Sequence, residues 1–168
     1  MPSRWGLRKH RGTGGSMYEK KELCAACGGK CCKGMPGSAF PSDFGELLLD
    51  ALVEKFQSGL WVIDWWEGDP RGKGYRMAQS YFVRPAIKGA NALFHPSWGG
   101  ECIFLSEDGC TLPSDERPLG CKRLEPGGHS PCMYHGDGTG KNAKHEGALA
   151  WLKHQLVILQ AAKLSGRR

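Results

Sequence analysis

Cys24-Ala25-Ala26-Cys27-Gly28-Gly29-Lys30-Cys31-Cys32 places four thiols within nine residues, and the other four of the eight cysteines stand far downstream at Cys102, Cys110, Cys121 and Cys132. Thiolates are the soft ligands that hold zinc or iron–sulfur clusters, and a C-x2-C pair lets one tight turn offer two sulfurs to a single ion. Gly28 and Gly29 relax the backbone so that the chain can curl around such an ion, and Lys30 adds a positive charge beside the accumulating thiolates. Neighbouring side chains diverge in most backbone conformations. Cys31 and Cys32 therefore serve two metals, or a metal and a neighbour, more readily than one tetrahedral ion. Eight thiols make two sets of four, which suits two zinc sites; one iron–sulfur cluster with spare thiols fits the same count. The expectation is that Cys24, Cys27, Cys31, Cys32, Cys102, Cys110, Cys121 and Cys132 are all ligands, with the choice between zinc and iron left open.

The run CAACGGKCCKGMPG, followed after Gly100 by ECIFLSEDGCTLPSDERPLGCKRLEP, resembles the YkgJ-type cysteine-cluster family. The family's pattern is CxxCxxxCC or a close variant, then C-x-F-L, a turn, G-C, an R-P pair, C-[RK] and a proline. This chain carries it at Cys24, Cys27, Cys31, Cys32, Cys102, Phe104, Leu105, Gly109, Cys110, Arg117, Pro118, Cys121 and Pro126, a likeness that covers residues 22 to 135. The resemblance implies a zinc- or iron-chelating domain. A bacterial flagellin lysine-methylase is similar in its cysteine cluster, which leaves an enzymatic role open; no methyl-donor site carries over.

The chain of 168 residues has the size of one domain, so a metal is an anchor and not the sole source of a core. Hydrophobic residues make up 40%, but 25 glycines and 10 prolines predict many turns and short elements. The fold class that follows is α+β: a small single domain over residues 21–168 with two main helices, short β-hairpins and irregular metal-binding loops. A flexible basic arm, residues 1–20, precedes it. The net charge of +6 is concentrated there, with Arg4, Arg8, Lys9, Arg11, Lys20 and Lys21 against Glu19 in residues 1–21. Such an arm can touch nucleic acid or an acidic protein by charge alone, although a Gly-rich basic end is more often simply solvated. The N-terminus lacks the apolar core of a secretory signal, and the apolar stretches near residues 47–53 and 156–159 are too short to span a bilayer. The expected setting is the cytoplasm, with no membrane partner. In a reducing compartment eight cysteines are better explained as metal ligands than as four disulfides.

Residue periodicity predicts a helix opening at Ser42-Asp43-Phe44 and closing at Gly59, with Leu48, Leu52 and Phe56 on one row. Leu60–Trp66 and Tyr75–Arg84 read as two strands of a hairpin, the second ended by Pro85. Their aromatics, Trp65, Trp66, Tyr75, Tyr81 and Phe82, are explained by packing before they are explained by base stacking. Cys102–Leu105 and Cys110–Leu112 read as a small hairpin turning at Asp108-Gly109. Arg117 is a candidate partner for thiolates or for a carboxylate. Cys132 lies between His129 and His135, either of which is able to replace a thiolate as a fourth ligand. Gly136–Lys141 fails as a phosphate loop, because His135 stands where the first glycine belongs and Asn142 follows the lysine. A closing helix over 144–164 is expected to face the core with Leu149, Leu152, Leu156 and Leu159 on one stripe and Trp151 and Ile158 beside it; a dimer seam is the lesser alternative, because the apolar repeat is brief.

Three classes of function follow. The first is a metal-binding module without catalysis. The second is an iron-dependent or iron–sulfur enzyme doing redox or group-transfer chemistry, for which no facial triad or serine–histidine constellation supplies a specific reaction. The third is an adaptor whose basic arm binds nucleic acid or protein while the metal holds the fold.

Overall fold

The β-branched and aromatic runs around Val62 and Phe82 pair as a central ribbon. The computed structural model describes residues 28–34, 36–72, 79–96, 100–123 and 143–168. Strand β1 (Trp61–Glu67) runs antiparallel to β2 (Gln79–Pro85), with Trp61 opposite Pro85, Asp64 opposite Phe82 and Glu67 opposite Gln79. A two-stranded ribbon is marginal on its own. Here both edges are occupied. The Ile63 amide donates to the Leu93 carbonyl at 2.8 Å, and the His95 amide donates to the Ile63 carbonyl at 2.9 Å. On the β2 side the Gln155 side chain imitates a strand, its Oε1 accepting from the Tyr81 amide and its Nε2 donating to the Tyr81 carbonyl, both at 2.8 Å. The Ala39 amide donates to the Val83 carbonyl at 2.8 Å, so edge groups of both strands already have partners.

Around the ribbon lie α1 (Lys30–Gly34), a 3-10 turn at Pro41–Phe44, α2 (Leu48–Gln57), a minimal hairpin of β3 (Leu105–Ser106) and β4 (Gly109–Cys110), α3 (Leu119–Lys122), α4 (Ala143–Trp151) and α5 (Gln155–Ser165), the last two joined by a 3-10 turn at Leu152–His154. The α+β class expected from the sequence is therefore observed. Helix α2 packs on α5, and α4 packs on both long strands. Leu52, Phe56, Ile63, Phe82, Trp151 and Ile158 are fully buried in one cluster that also takes in Cys102, Phe104 and Leu105. Phe44 meets Trp61 edge-on at 5.9 Å and Trp151 at 5.7 Å, and the Trp151 indole N–H donates to the Ala39 carbonyl at 2.7 Å.

Four local expectations are corrected. Helix α2 begins at Leu48, not at Asp43, because the Asp43 carboxylate accepts the Phe40 amide at 2.7 Å and closes a local turn, and Gly45 then takes a φ of 71° that no helix continues. The closing helix has another phase: Ala148, Trp151, Ile158, Ala161 and Ala162 face inward, while Leu156 is 81% exposed and Leu159 40%. The 3-10 turn at Leu152–His154 rotates the faces between α4 and α5, and the two alanines let α2 approach closely. The second hairpin is shorter than predicted, turning on Glu107-Asp108 with Gly109 already paired to Ser106 at a φ of 103°. Cys102 leaves that hairpin and bridges to Ile87. The long second strand is described only from Gln79; Tyr75 and the rest of its predicted start lie outside the described residues, as do the arm over 1–20 and the Gly136–Lys141 loop.

Arg167, next to last in the sequence, ties separate segments together. Its Nη1 donates to the Phe56 carbonyl at 2.9 Å and its Nη2 to the Asn91 carbonyl at 3.0 Å. Among the described residues no helix is long and apolar enough to cross a membrane.

The corrected phase of α5 is directly measurable. Ile158→Ala is expected to lower stability by about 2–5 kcal/mol, and Leu156→Ala by no more than about 0.5 kcal/mol. Urea denaturation of the two variants checks the order.

Candidate thiol site

Gly28 and Gly29, with φ of 64° and 70°, bend the chain into α1 in a region where other residues are strained. This bend brings Gly29 and the start of α1 against the second cysteine block. A side chain at Gly29 would stand 2.8 Å from Leu105 Cδ1. Three residues on, the Cys102 amide donates to the Cys32 carbonyl at 2.6 Å. Cys102 is held in place from the other side as well, since the Ile103 amide donates to the Ala86 carbonyl and the Lys88 amide to the Glu101 carbonyl, each at 2.8 Å. Beyond α1, residues 36–39 form a buried strap. A Cβ on Gly37 would lie 2.7 Å from the Cys121 nitrogen, and a Cβ on Gly120 would collide with the Ser38 carbonyl. The Cys121 thiol donates to the Gly37 carbonyl at 3.5 Å. Segments distant in sequence thus meet at Gly29 and Leu105, at Cys32 and Cys102, and at Gly37 and Cys121.

Cys32, Cys102, Cys110 and Cys121 are thiols in the structure. Cys102 is 4% exposed and belongs to the main apolar cluster, against which Cys32 and Cys110 pack. Cys110 faces Leu105 across the hairpin. Arg117, the predicted charge partner, donates from Nε to the Leu112 carbonyl at 3.0 Å and reaches the Cys110 carbonyl at 3.5 Å, so it braces the hairpin backbone. Cys24, Cys27, Cys132, His129 and His135 lie outside the described residues, and Cys31 is described only as part of α1. Among the described residues no group of three or more His, Cys, Asp or Glu side chains is close enough to hold one ion. The described thiols by themselves do not make a complete metal site.

A cluster of charge that sequence reasoning missed adjoins this region. Asp64 and Arg84 are diagonal neighbours on one face of the ribbon, 0% and 1% exposed. Arg84 Nε donates to Asp64 Oδ2 at 2.8 Å, Nη1 to the Pro85 carbonyl at 2.8 Å and Nη2 to the His95 carbonyl at 2.8 Å. Lys144 Nζ stands 3.2 Å from Asp64 Oδ1, which also accepts the Trp65 amide at 2.7 Å. Burial pulls the Arg84 guanidinium below its ordinary pKa; the negative charge of Asp64 and its hydrogen bond act against the pull. The available signal was a single charge inside each of two apolar runs, Trp61-Val62-Ile63-Asp64-Trp65-Trp66 and Tyr81-Phe82-Val83-Arg84.

Comparison of the chain with family models, with curated proteins and with solved structures gave no match.

Two outcomes test this region. Asp64→Leu strands a buried guanidinium and is expected to lower stability by about 3–5 kcal/mol, whereas Asp64→Leu combined with Arg84→Met recovers most of that loss in a denaturant series. Asp43 supplies the pH test. Both of its carboxylate oxygens lie 3.1 Å from the Leu119 nitrogen; although the residue keeps surface in solvent, burial of the carboxyl holds its pKa above the ordinary 3.8, and the Phe40 and Leu119 amides only partly offset this. The folded state then binds the proton more tightly than the unfolded chain. This contribution to stability is complete below pH 3.8 and is lost as pH rises through the higher folded-state value. Melting curves of wild type and Asp43→Asn across the acid range should show wild type losing ground to the variant as pH rises through that window.

Proposed function

We propose that the chain is a metal-binding cysteine-cluster protein whose thiolates join the N-terminal CxxCxxxCC loop to the second cysteine block around zinc or iron. The observation that carries this reading is the backbone bond from the Cys102 amide to the Cys32 carbonyl at 2.6 Å, which brings one cysteine of each block together across the sequence. Two further facts support it: the close packing of Gly29 on Leu105 and of Gly37 on Cys121, and the supply of Cys24, Cys27 and Cys31 just before or beside Cys32. Thiolates of Cys31, Cys32 and Cys102, with Cys24 and Cys27 from the same loop, are the first candidates for ligands. Cys110, Cys121 and Cys132 complete the set of eight. A zinc ion there would act as a covalent-strength anchor; iron or an iron–sulfur cluster would add electron transfer.

The full chain, purified without added metal, is expected to contain zinc or iron in at least a one-to-one ratio by elemental analysis. A colourless preparation would mean zinc, and a brown one absorbing near ~400 nm an iron–sulfur cluster. Structural thiolate sites contribute on the order of 10 kcal/mol to folding, so chelation should lower the melting temperature sharply. Cys27→Ser and Cys102→Ser should each reduce bound metal. Metal-free protein whose melting is indifferent to chelator would refute the assignment.

A further inference from the structure

The bond between the Cys102 amide and the Cys32 carbonyl fixes more than the approach of two loops. With nitrogen and oxygen 2.6 Å apart, the covalent bonds on either side hold the two Cα atoms within about 6.8 Å even at full stretch. Disulfides bridge Cα separations of about 4.4–6.8 Å. Cys32 and Cys102 are both thiols and both pack into the same apolar cluster. Their access to solvent differs, for Cys102 is 4% exposed and Cys32 is half-buried. An accessible thiol with a protected one beside it is the arrangement in which an oxidant reaches the first and the second resolves the product.

We propose that Cys32 and Cys102 form a disulfide in response to peroxide, and that this bond disables the thiolate site; the loss of metal rests on the function proposed above, whereas the bond itself does not. The Cys32 thiolate attacks one peroxide oxygen. A sulfur–oxygen bond forms as the oxygen–oxygen bond breaks, and the departing hydroxide keeps the electron pair and takes up a proton to become water. The Cys102 sulfur then displaces the hydroxyl from Cys32: the sulfur–sulfur bond forms, the sulfur–oxygen bond breaks, and the second hydroxide leaves as water with the proton that Cys102 gives up. The two thiols lose two electrons and hydrogen peroxide gains them. One ligand is withdrawn from each cysteine block in a single event, so metal leaves while the blocks stay cross-linked. The adjacent Cys31 and Cys32 are equivalent in the sequence, and the backbone contact selects Cys32.

The test uses the full chain as purified, treated with hydrogen peroxide. Remaining thiols are then alkylated, the digest is read by tandem mass spectrometry that fragments between Cys31 and Cys32, and metal is measured in the filtrate. The expected result is a Cys32–Cys102 link, with metal released in step with it. Cys31→Ser keeps the link and Cys32→Ser abolishes it; should either variant fold poorly by circular dichroism, the fragment map of the wild-type chain decides. A link from Cys102 to Cys31 or to another cysteine, or persistence of reduced Cys102 while other thiols oxidise, overturns the proposal. Metal in the untreated protein, with no Cys32–Cys102 link formed on peroxide treatment, defeats the disulfide alone. A Cys32–Cys102 link in protein that never held metal defeats the metal-binding reading and leaves the disulfide standing.

Discussion

The Asp64–Arg84 ion pair is the constraint around which the rest of the protein is arranged. Both charges are wholly removed from solvent, and taking such groups out of water is repaid only if every remaining hydrogen-bonding direction finds a partner. The fold meets that demand with pieces from several places. The end of β2 gives the Pro85 carbonyl, the returning segment along β1 gives the His95 carbonyl, and α4 brings Lys144 to the second carboxylate oxygen. The same segment at Leu93 and His95 seals the edge of β1, so one set of residues serves both the ion pair and the ribbon. Hydrophobic side chains of the ribbon, α2, α4 and α5 make up the core, and the ion pair adds polar contacts between segments distant in sequence.

Where elements carry strong local chemistry, the sequence was sufficient. The aromatic and β-branched stretch near Trp61, the row of Leu48, Leu52 and Phe56, and the α+β class were all legible from pattern. The failures share a cause: each depends on a distant partner or on a small change of helical pitch. Ser42-Asp43 looked like a helix start, yet Asp43 is committed to the Phe40 and Leu119 amides. The leucines of the terminal helix were counted on an unbroken period, and a three-residue 3-10 turn was enough to send Leu156 outward and Ile158 inward. Arg84 was read only as the end of a strand, although its guanidinium is held by Asp64 and by the His95 carbonyl, and nothing local marked Arg167, whose partners are the Phe56 and Asn91 carbonyls.

The thiol region divides in the same way. Spacing singled out the cysteines and suggested that the two blocks meet, and the described backbone places Cys32 against Cys102. Spacing was silent on what flanks them: the buried cation at Arg84, and the glycines at 29, 37 and 120 that permit contact closer than any side chain would allow. Such glycines are indistinguishable in a sequence from the many others that merely serve turns.

The strap of residues 36–39 links this region to the centre of the molecule. It leaves α1 shortly after Cys32, passes Cys121 at Gly37, is gripped at Ser38 by Gly120 and Gly147, and ends with the Ala39 backbone bonded to Val83 and to the Trp151 indole. The strap thereby ties the backbone beside Cys121 to the acceptor of the enclosed Trp151 indole, so four residues bridge the sulfur-bearing periphery and the middle of the core.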